Sequence, residues 1–289
     1  MPLFDHLKTI LSGNQPLNVS KRFALLHEAI SGTMSSFYMA RDLRTGGVVG
    51  LKILDPLKTA IFEGRFKGLN KPCEGEIAAQ LKHPHIVETL EYGLTNEGAQ
   101  YLVMEFIDGP NMNTVLAAHD PCLEGHRLRF IRQAAEAVEA VHAAGFLHRD
   151  ICPRNFILTN DRQDIKLIDF GLTVPATRWF KQPGNRTGTP NYMAPELVRR
   201  RPTDQRLDIF AFGVTAYEIC TFELPWMRGT TGMAAMAHDQ PPADIRQYCP
   251  DLHPQLAKAI HACIEPEPKR RCPSMEAFLQ MLRKVPEEE

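Results

Sequence analysis

The sequence predicts an α+β fold in two parts, a small β-rich N-terminal part with one key helix and a larger helical C-terminal part. Three observations carry this reading. Between residues 22 and 53, short runs rich in aromatic and branched residues are separated by turn signals. Beyond Asp108-Gly109-Pro110, apolar residues recur at helical spacing. A single composition shift near residue 107 separates the two patterns, with no internal repeat or low-complexity run on either side.

Taken in order, residues 1–20 read as a short amphipathic lead-in, 21–107 as the β-rich part, 108–285 as the helical part and 286–289 as a tail. FALLHEAI, SFYMARDL and VVGLKIL are strand candidates, the last two divided by the turn Arg44-Thr45-Gly46-Gly47. Pro72 opens a helical stretch, CEGEIAAQLK, with Ile77, Ala78 and Leu81 on one face. IVETLEYG and AQYLVMEFI follow as strands around the turn at 95–98. LRFIRQAAEAVEAVHAAG places Phe130, Ile131, Ala134, Val138 and Val141 on one helical stripe that ends at Gly145. Further helices are expected at 207–222, 254–265 and 274–284.

Hydrophobic content of 44% and charged content of 23% over 289 residues are ordinary for a globular chain. A net charge of −1 offers no general field for nucleic acid or anionic lipid, so neither is expected as a partner. Asp5, His6 and Lys8 break the apolar N-terminus, and the apolar run at 209–220 is too short to span a bilayer and contains Glu218. Seven scattered cysteines form no CxxC pair, which suggests neither a zinc site nor a disulfide framework. Reduced thiols in a cytoplasmic protein are the expectation.

The chemistry concentrates in HRDICPRN (148–155) and Asp169-Phe170-Gly171. Phosphoryl transfer needs one carboxylate to orient the attacking hydroxyl and oxygen ligands to hold Mg²⁺ on the phosphates. Asp150, Asn155 and Asp169 supply those groups within twenty residues. A lone DFG is weak, but the ordered set adds Lys52 at a strand end, Glu74 ten residues before Pro84, and Ala194-Pro195-Glu196. Over about residues 22–284 this set resembles the eukaryotic-type (Hanks-type) serine/threonine protein kinases, bacterial ones included.

The resemblance implies a bilobal kinase fold that binds ATP and Mg²⁺ and phosphorylates protein Ser/Thr hydroxyls. Lys52 would pair the α- and β-phosphates, steadied by Glu74, with Glu76 as the fallback carboxylate. Asp150 would orient the substrate hydroxyl, and Asn155 and Asp169 would hold the metal. His148 would be a packing residue, and Arg149 would pair with a phosphorylated loop residue. Met104 would back the adenine pocket, the backbone of Glu105 to Ile107 would bond the adenine edge, and Ile157 would floor it. In GTPNYM, Thr189 would contact the catalytic Asp. Thr187 is the leading autophosphorylation candidate, with Thr177 and Thr173 behind it. Asp208 would fix the catalytic loop, and Arg271 would pair with Glu196 in the interior.

Three departures stand inside the pattern. The phosphate-covering loop, Ile30 to Phe37, keeps only Gly32 of its glycines, which implies a stiffer and less complete cradle. Phe37 and Gly50 replace a Val and an Ala that line the adenine roof. Either the two exchange volume, or Phe37 fills the adenine space itself. Cys152 stands where a Lys normally neutralises the γ-phosphate. Arg154, four residues after Asp150 as in tyrosine kinases, is expected to take that charge, with Cys152 buried and inert.

The alternative is a pseudokinase, an interaction module with weak or no transfer. The degenerate loop, Phe37 and Cys152 argue for it, whereas intact Lys52, Asp150, Asn155 and Asp169 argue against it. A small-molecule kinase is disfavoured by GTPNYMAPE, Asp208 and Arg271. The expected partners are a protein substrate and a regulatory protein that supplies the signal.

Overall fold

The computed structural model describes residues 16–27, 30, 31, 34–183, 187–227 and 237–287. Its contacts separate two units. One takes the chain up to Gln80 together with Glu88–Phe106, and the other takes Leu81–Val87 and the chain from Ile107 onward.

An antiparallel sheet organises the first unit. Asn18 caps α1 (Val19–Arg22) by accepting from Lys21 N at 3.0 Å. The chain then forms β1 (Phe23–Leu25), β2 (Ile30–Ser31), β3 (Ser35–Asp42) and β4 (Val48–Leu54). After α2 (Pro56–Gly64) and α3 (Glu74–Gln80) come β5 (Thr89–Leu94) and β6 (Gln100–Glu105). The strand order is β1-β3-β4-β6-β5, with β2 beside β3. Side chains alternate across a strand, so Val49 and Leu51 enter a core with Leu17, Phe23, Ala40, Tyr101 and Val103. Gly50 and Lys52 are thereby left to the opposite face.

Two local outcomes differ from the sequence reading. The strand expected over FALLHEAI is interrupted, because β1 ends at Leu25 and β2 begins only at Ile30. Helix α2 is additional, and its start follows from Asp55. That carboxylate accepts from Leu57 N and Lys58 N at 2.9 and 3.0 Å, with Pro56 preset for the first turn. Helix α3 lies flush on β5, since a Cβ added at Gly75 would come within 2.5 Å of Tyr92 Cβ.

The second unit contains α4 (Met112–Ala117), α5 (Arg127–Ala143), β7 (Phe146–Leu147), β8 (Phe156–Leu158), β9 (Ile165–Leu167) and β10 (Val174–Pro175). It continues with α6 (Pro195–Val198), α7 (Arg206–Thr221), α8 (Pro254–Cys263) and α9 (Met275–Met281). β7 pairs with β10 and β8 with β9, both antiparallel. Every residue of α7 from Leu207 to Thr221 is buried, as an all-round apolar helix requires, and it packs against α5 and α8. Phe222 ends it in the left-handed region at φ 61°. Among the described residues, no helix is long and apolar enough to cross a membrane.

Candidate active site

The first unit assembles its part on the sheet face opposite the core. Lys52 Nζ meets Glu74 Oε1 at 2.5 Å, and both residues are buried. Glu76 turns away, its Oε2 accepting from Cys73 N at 2.8 Å, so Glu74 is the carboxylate that reaches the lysine. On the same face Lys52 stands opposite Phe37 and Leu102, and Gly50 opposite Met39 and Met104. A Cβ at Gly50 would fall 2.9 Å from the Phe37 ring and 3.0 Å from Met104 Cγ. Phe37 therefore occupies the volume that a side chain at 50 would need. Ile30 and Ser31 pair with Phe37 and Ser36 through the backbone. Gly32, with the expectation placed on it, lies outside the described residues. Glu105 N donates to Glu88 O at 3.0 Å, and Ile107 opens the second unit.

In the second unit Asp208 fixes the start of the loop that runs from His148 to Asn155. Fully buried on α7, its Oδ1 accepts from Arg149 N at 2.7 Å and its Oδ2 from His148 N at 2.8 Å. His142, near the end of α5, adds a contact from Nε2 to Asp208 Oδ2 at 3.0 Å. Burial pushes the Asp208 carboxyl upward, but the His142 hydrogen bond and the surrounding charges bring it below the usual carboxylate range. His142 was missing from the sequence reading. Its signal was available, because position 142 follows Val138 by one turn on the inward stripe, where a polar ring requires a partner.

His148 is buried, and its Nδ1 accepts from Asp150 N at 3.2 Å, which places its proton on Nε2. Its ring meets Phe170 edge-on at 5.4 Å. Complete burial holds it below the usual imidazole range, so it is a neutral spacer. Arg149 and Asp169 take positive φ of 70° and 66°, and two non-glycine residues in that region mark backbone held by its surroundings. Gly188, at φ 127°, passes close under the loop. A Cβ there would lie 2.8 Å from Arg149 O.

Asp150 divides its carboxylate between two sets of donors. The Thr189 hydroxyl donates to Oδ1 at 2.7 Å. Arg154 NH2 reaches Oδ2 at 3.2 Å, and Asn155 Nδ2 reaches the same oxygen at 3.1 Å. Arg154 NH2 also donates to Thr189 Oγ1 at 2.9 Å, so one guanidinium bridges Asp150 and the threonine. Cys152 is buried beside them, 3.6 Å from the Thr189 hydroxyl, and burial pushes its thiol up to about 12. It is an unreactive thiol at neutral pH. Asn155 Nδ2 donates again to Asp150 O at 2.7 Å, so the amide nitrogen, not the oxygen, meets Asp150. That oxygen and the Asp169 carboxylate, which accepts from Gly171 N at 3.0 Å, are hard donors of the kind Mg²⁺ takes one or two at a time. Ile157 lies half-buried on β8.

The phosphorylation candidates separate by environment. Thr173 is fully buried, its hydroxyl 3.5 Å from His148 O, which corrects its place among the accessible candidates. Thr189 is engaged as above. Thr187 is half-buried as a residue, but its Oγ1 is closed to solvent and finds no hydrogen-bond partner among the described residues. Behind the segment Arg271 grips Glu196 through NH1–Oε1 at 2.7 Å and NH2–Oε2 at 3.0 Å, both side chains buried.

With this geometry in hand, comparison with known proteins is specific. A model of the protein kinase domain family matches residues 26–282, and the chain belongs to that family. It is 31% identical to the serine/threonine-protein kinase pkn3 of Myxococcus xanthus, over 89% of this chain and 48% of that one. It is 28% identical to a probable serine/threonine-protein kinase, pknA2, of Bifidobacterium longum, over 96% of this chain and 37% of that one. Identity to the serine/threonine-protein kinase PknB of Mycolicibacterium smegmatis is 29%, over 89% and 41%. The chain thus spans less than half the length of each of these relatives.

Proposed function

We propose that the chain is a serine/threonine protein kinase that moves the γ-phosphoryl group of ATP to a protein hydroxyl. The observation that carries this is the Asp150 carboxylate, held by Arg154 and Asn155 on one oxygen and by Thr189 on the other. A carboxylate so held is positioned to accept a substrate hydroxyl proton late in transfer, as the oxygen–phosphorus bond forms and the bond to the leaving ADP oxygen breaks. Arg154, charged at any physiological pH, would neutralise the transferring group in place of the lysine that Cys152 displaces. Lys52, steadied by Glu74, would hold the α- and β-phosphates. Asn155 and Asp169 would hold Mg²⁺, which supplies charge neutralisation on the phosphates when bound.

The contrary reading, an interaction module without transfer, gains no support from relatives that are named as kinases. Thr187 would be the residue modified in cis or trans, with Arg149 as its phosphate partner. Substrate proteins and a regulatory partner belong to the same proposal. The test is incubation with Mg²⁺ and labelled ATP, followed by mass spectrometry of the 172–193 segment. Wild type should incorporate phosphate at Thr187, and Asp150→Asn should abolish incorporation. Equal labelling of the two would sink the enzyme reading.

A further inference from the structure

Helix α2 (Pro56–Gly64) carries an apolar stripe that faces solvent. Its buried residues are Thr59 and Phe62, and Phe62 meets Phe66 edge-on at 5.4 Å. Leu57, Ala60, Ile61 and Gly64, at i, i+3, i+4 and i+7, form a second stripe on another face, and all four are exposed. Leu57 keeps 78% of its surface in solvent and Ile61 keeps 68%. A Cβ added at Gly64 would meet nothing within 4 Å. A nine-residue helix is too short to hold itself together in water, and two buried side chains give it little packing. An element laid over the outward stripe would steady it.

The amino-acid sequence holds a segment that matches this stripe. Leu3, Phe4, Leu7, Ile10 and Leu11, outside the described residues, recur at helical spacing over nine positions, the length of α2. The chain that follows them is fixed close to α2. Leu17 N donates to Leu94 O at 2.9 Å and Leu17 O accepts from Asn96 N at 2.9 Å, so the chain joins the sheet at the end of β5. Leu94 stands opposite Gln100 on β6, and Gln100 Nε2 donates to Glu63 Oε1 at 3.3 Å, near the C-terminal end of α2. Two strand spacings, about 10 Å, separate Leu17 from Gln100. The polar link at 12–16, SGNQP, reaches up to about 17 Å when extended. We propose that residues 3–11 dock as an antiparallel helix on the outward stripe of α2, with Leu11 toward Gly64 and Leu3 toward Leu57. The direction follows from the fixed point at Leu17, which lies on the side of the C-terminal end of α2. A link this short holds the segment at about millimolar local concentration, which favours it over a second copy of the chain at the same face.

The test follows amide hydrogen exchange by mass spectrometry in the folded full chain and in point variants of it. Leu7→Asp, which leaves the sequence of α2 intact, should speed exchange in peptides from 56–64 by at least about 10-fold, as loss of a local protecting contact does. Ile61→Asp should in turn speed exchange in peptides from 3–11 by a similar factor, which damage confined to α2 would not do. Leu43→Asp, at another exposed apolar position of the first unit, should change neither. The proposal is overturned if the amides of 3–11 exchange in wild type at the rate of a free peptide of that sequence, or if Leu7→Asp leaves 56–64 unchanged. Protection of 56–64 that rises with protein concentration and ignores Leu7→Asp would give the face to a second copy of the chain, and so also overturn it. Should Ile61→Asp fail to fold, Leu7→Asp and the free-peptide comparison decide.

Discussion

Asp150 meets a hydroxyl, a guanidinium and an amide, and each contact implies a separate experiment. The guanidinium is the unusual one, because Arg154 both touches Asp150 and donates to Thr189. Arg154→Ala should lower turnover by about 10²-fold, the size typical of a lost transition-state charge donor. Cys152→Ala, which removes only a buried protonated thiol, should change turnover little. Comparable small effects in steady-state assays of both variants would refute the assignment. The second residue-scale test concerns Phe37 and Gly50. With a methyl at 50 falling 2.9 Å from the ring, Gly50→Ala should destabilise by about 1–3 kcal/mol through overpacking. It should also weaken nucleotide binding as the ring is displaced. Phe37→Val combined with Gly50→Ala should recover most of both losses. Additive losses in thermal unfolding and nucleotide titration would mean that the two positions do not exchange volume.

At the scale of elements, the interior ion pair between α6 and the segment before α9 carries the largest expected single effect. Arg271 holds Glu196 bidentately and also donates to the carbonyls of Arg206 and Glu265 at 2.6 and 2.9 Å. Removing one member leaves the other charge without compensation. Arg271→Met should therefore cost about 3–5 kcal/mol in urea unfolding, and Arg271→Met/Glu196→Leu clearly less than the sum of the single changes. Stabilities of the single variants close to wild type would show that the pair is not the tie proposed. This pair was legible in sequence because its residues sit inside motifs with fixed order, and so were Lys52, Asp150, Asn155 and Asp169. The strands VVGLKIL and the stripe of α5 were legible from period alone. Helix α2 was passed over although Asp55-Pro56 is a strong start signal, because the run behind it, LKTAIFEG, leaves Leu57 and Ile61 on solvent and so shows no clean inward stripe. The bond from Cys272 N to Ala262 O was beyond reach for another reason. It depends on how the end of α8 meets the chain ten residues later, and no spacing rule encodes that.

At the scale of the whole molecule, acid should weaken the fold in a window set by imidazoles before any carboxylate is lost. His148 and His238 are both buried, and burial holds each below the ordinary value of 6.5. His238 Nδ1 contacts Met193 O at 2.7 Å and its ring lies against Trp226 and Phe210, so it ties the chain just before Ala194-Pro195-Glu196 to α7. A depressed folded-state value means that the unfolded chain binds more protons between that value and 6.5. The contribution of each ring is complete above 6.5 and is lost as pH falls through the depressed value. Each ring can add a slope of up to about 1.4 kcal/mol per pH unit in that window. Asp208, held below its usual range, contributes in the same sense only at far lower pH, near the unfolded carboxylate value. Thermal stability should therefore decline steadily from about pH 6.5 to 5, ahead of the carboxylate region. His148→Asn, whose amide can still accept from Asp150 N, should flatten part of that decline without removing the contact. A melting temperature constant between pH 7.5 and 5.5 would contradict the burial argument for both rings, and a variant with an unchanged slope would contradict it for His148.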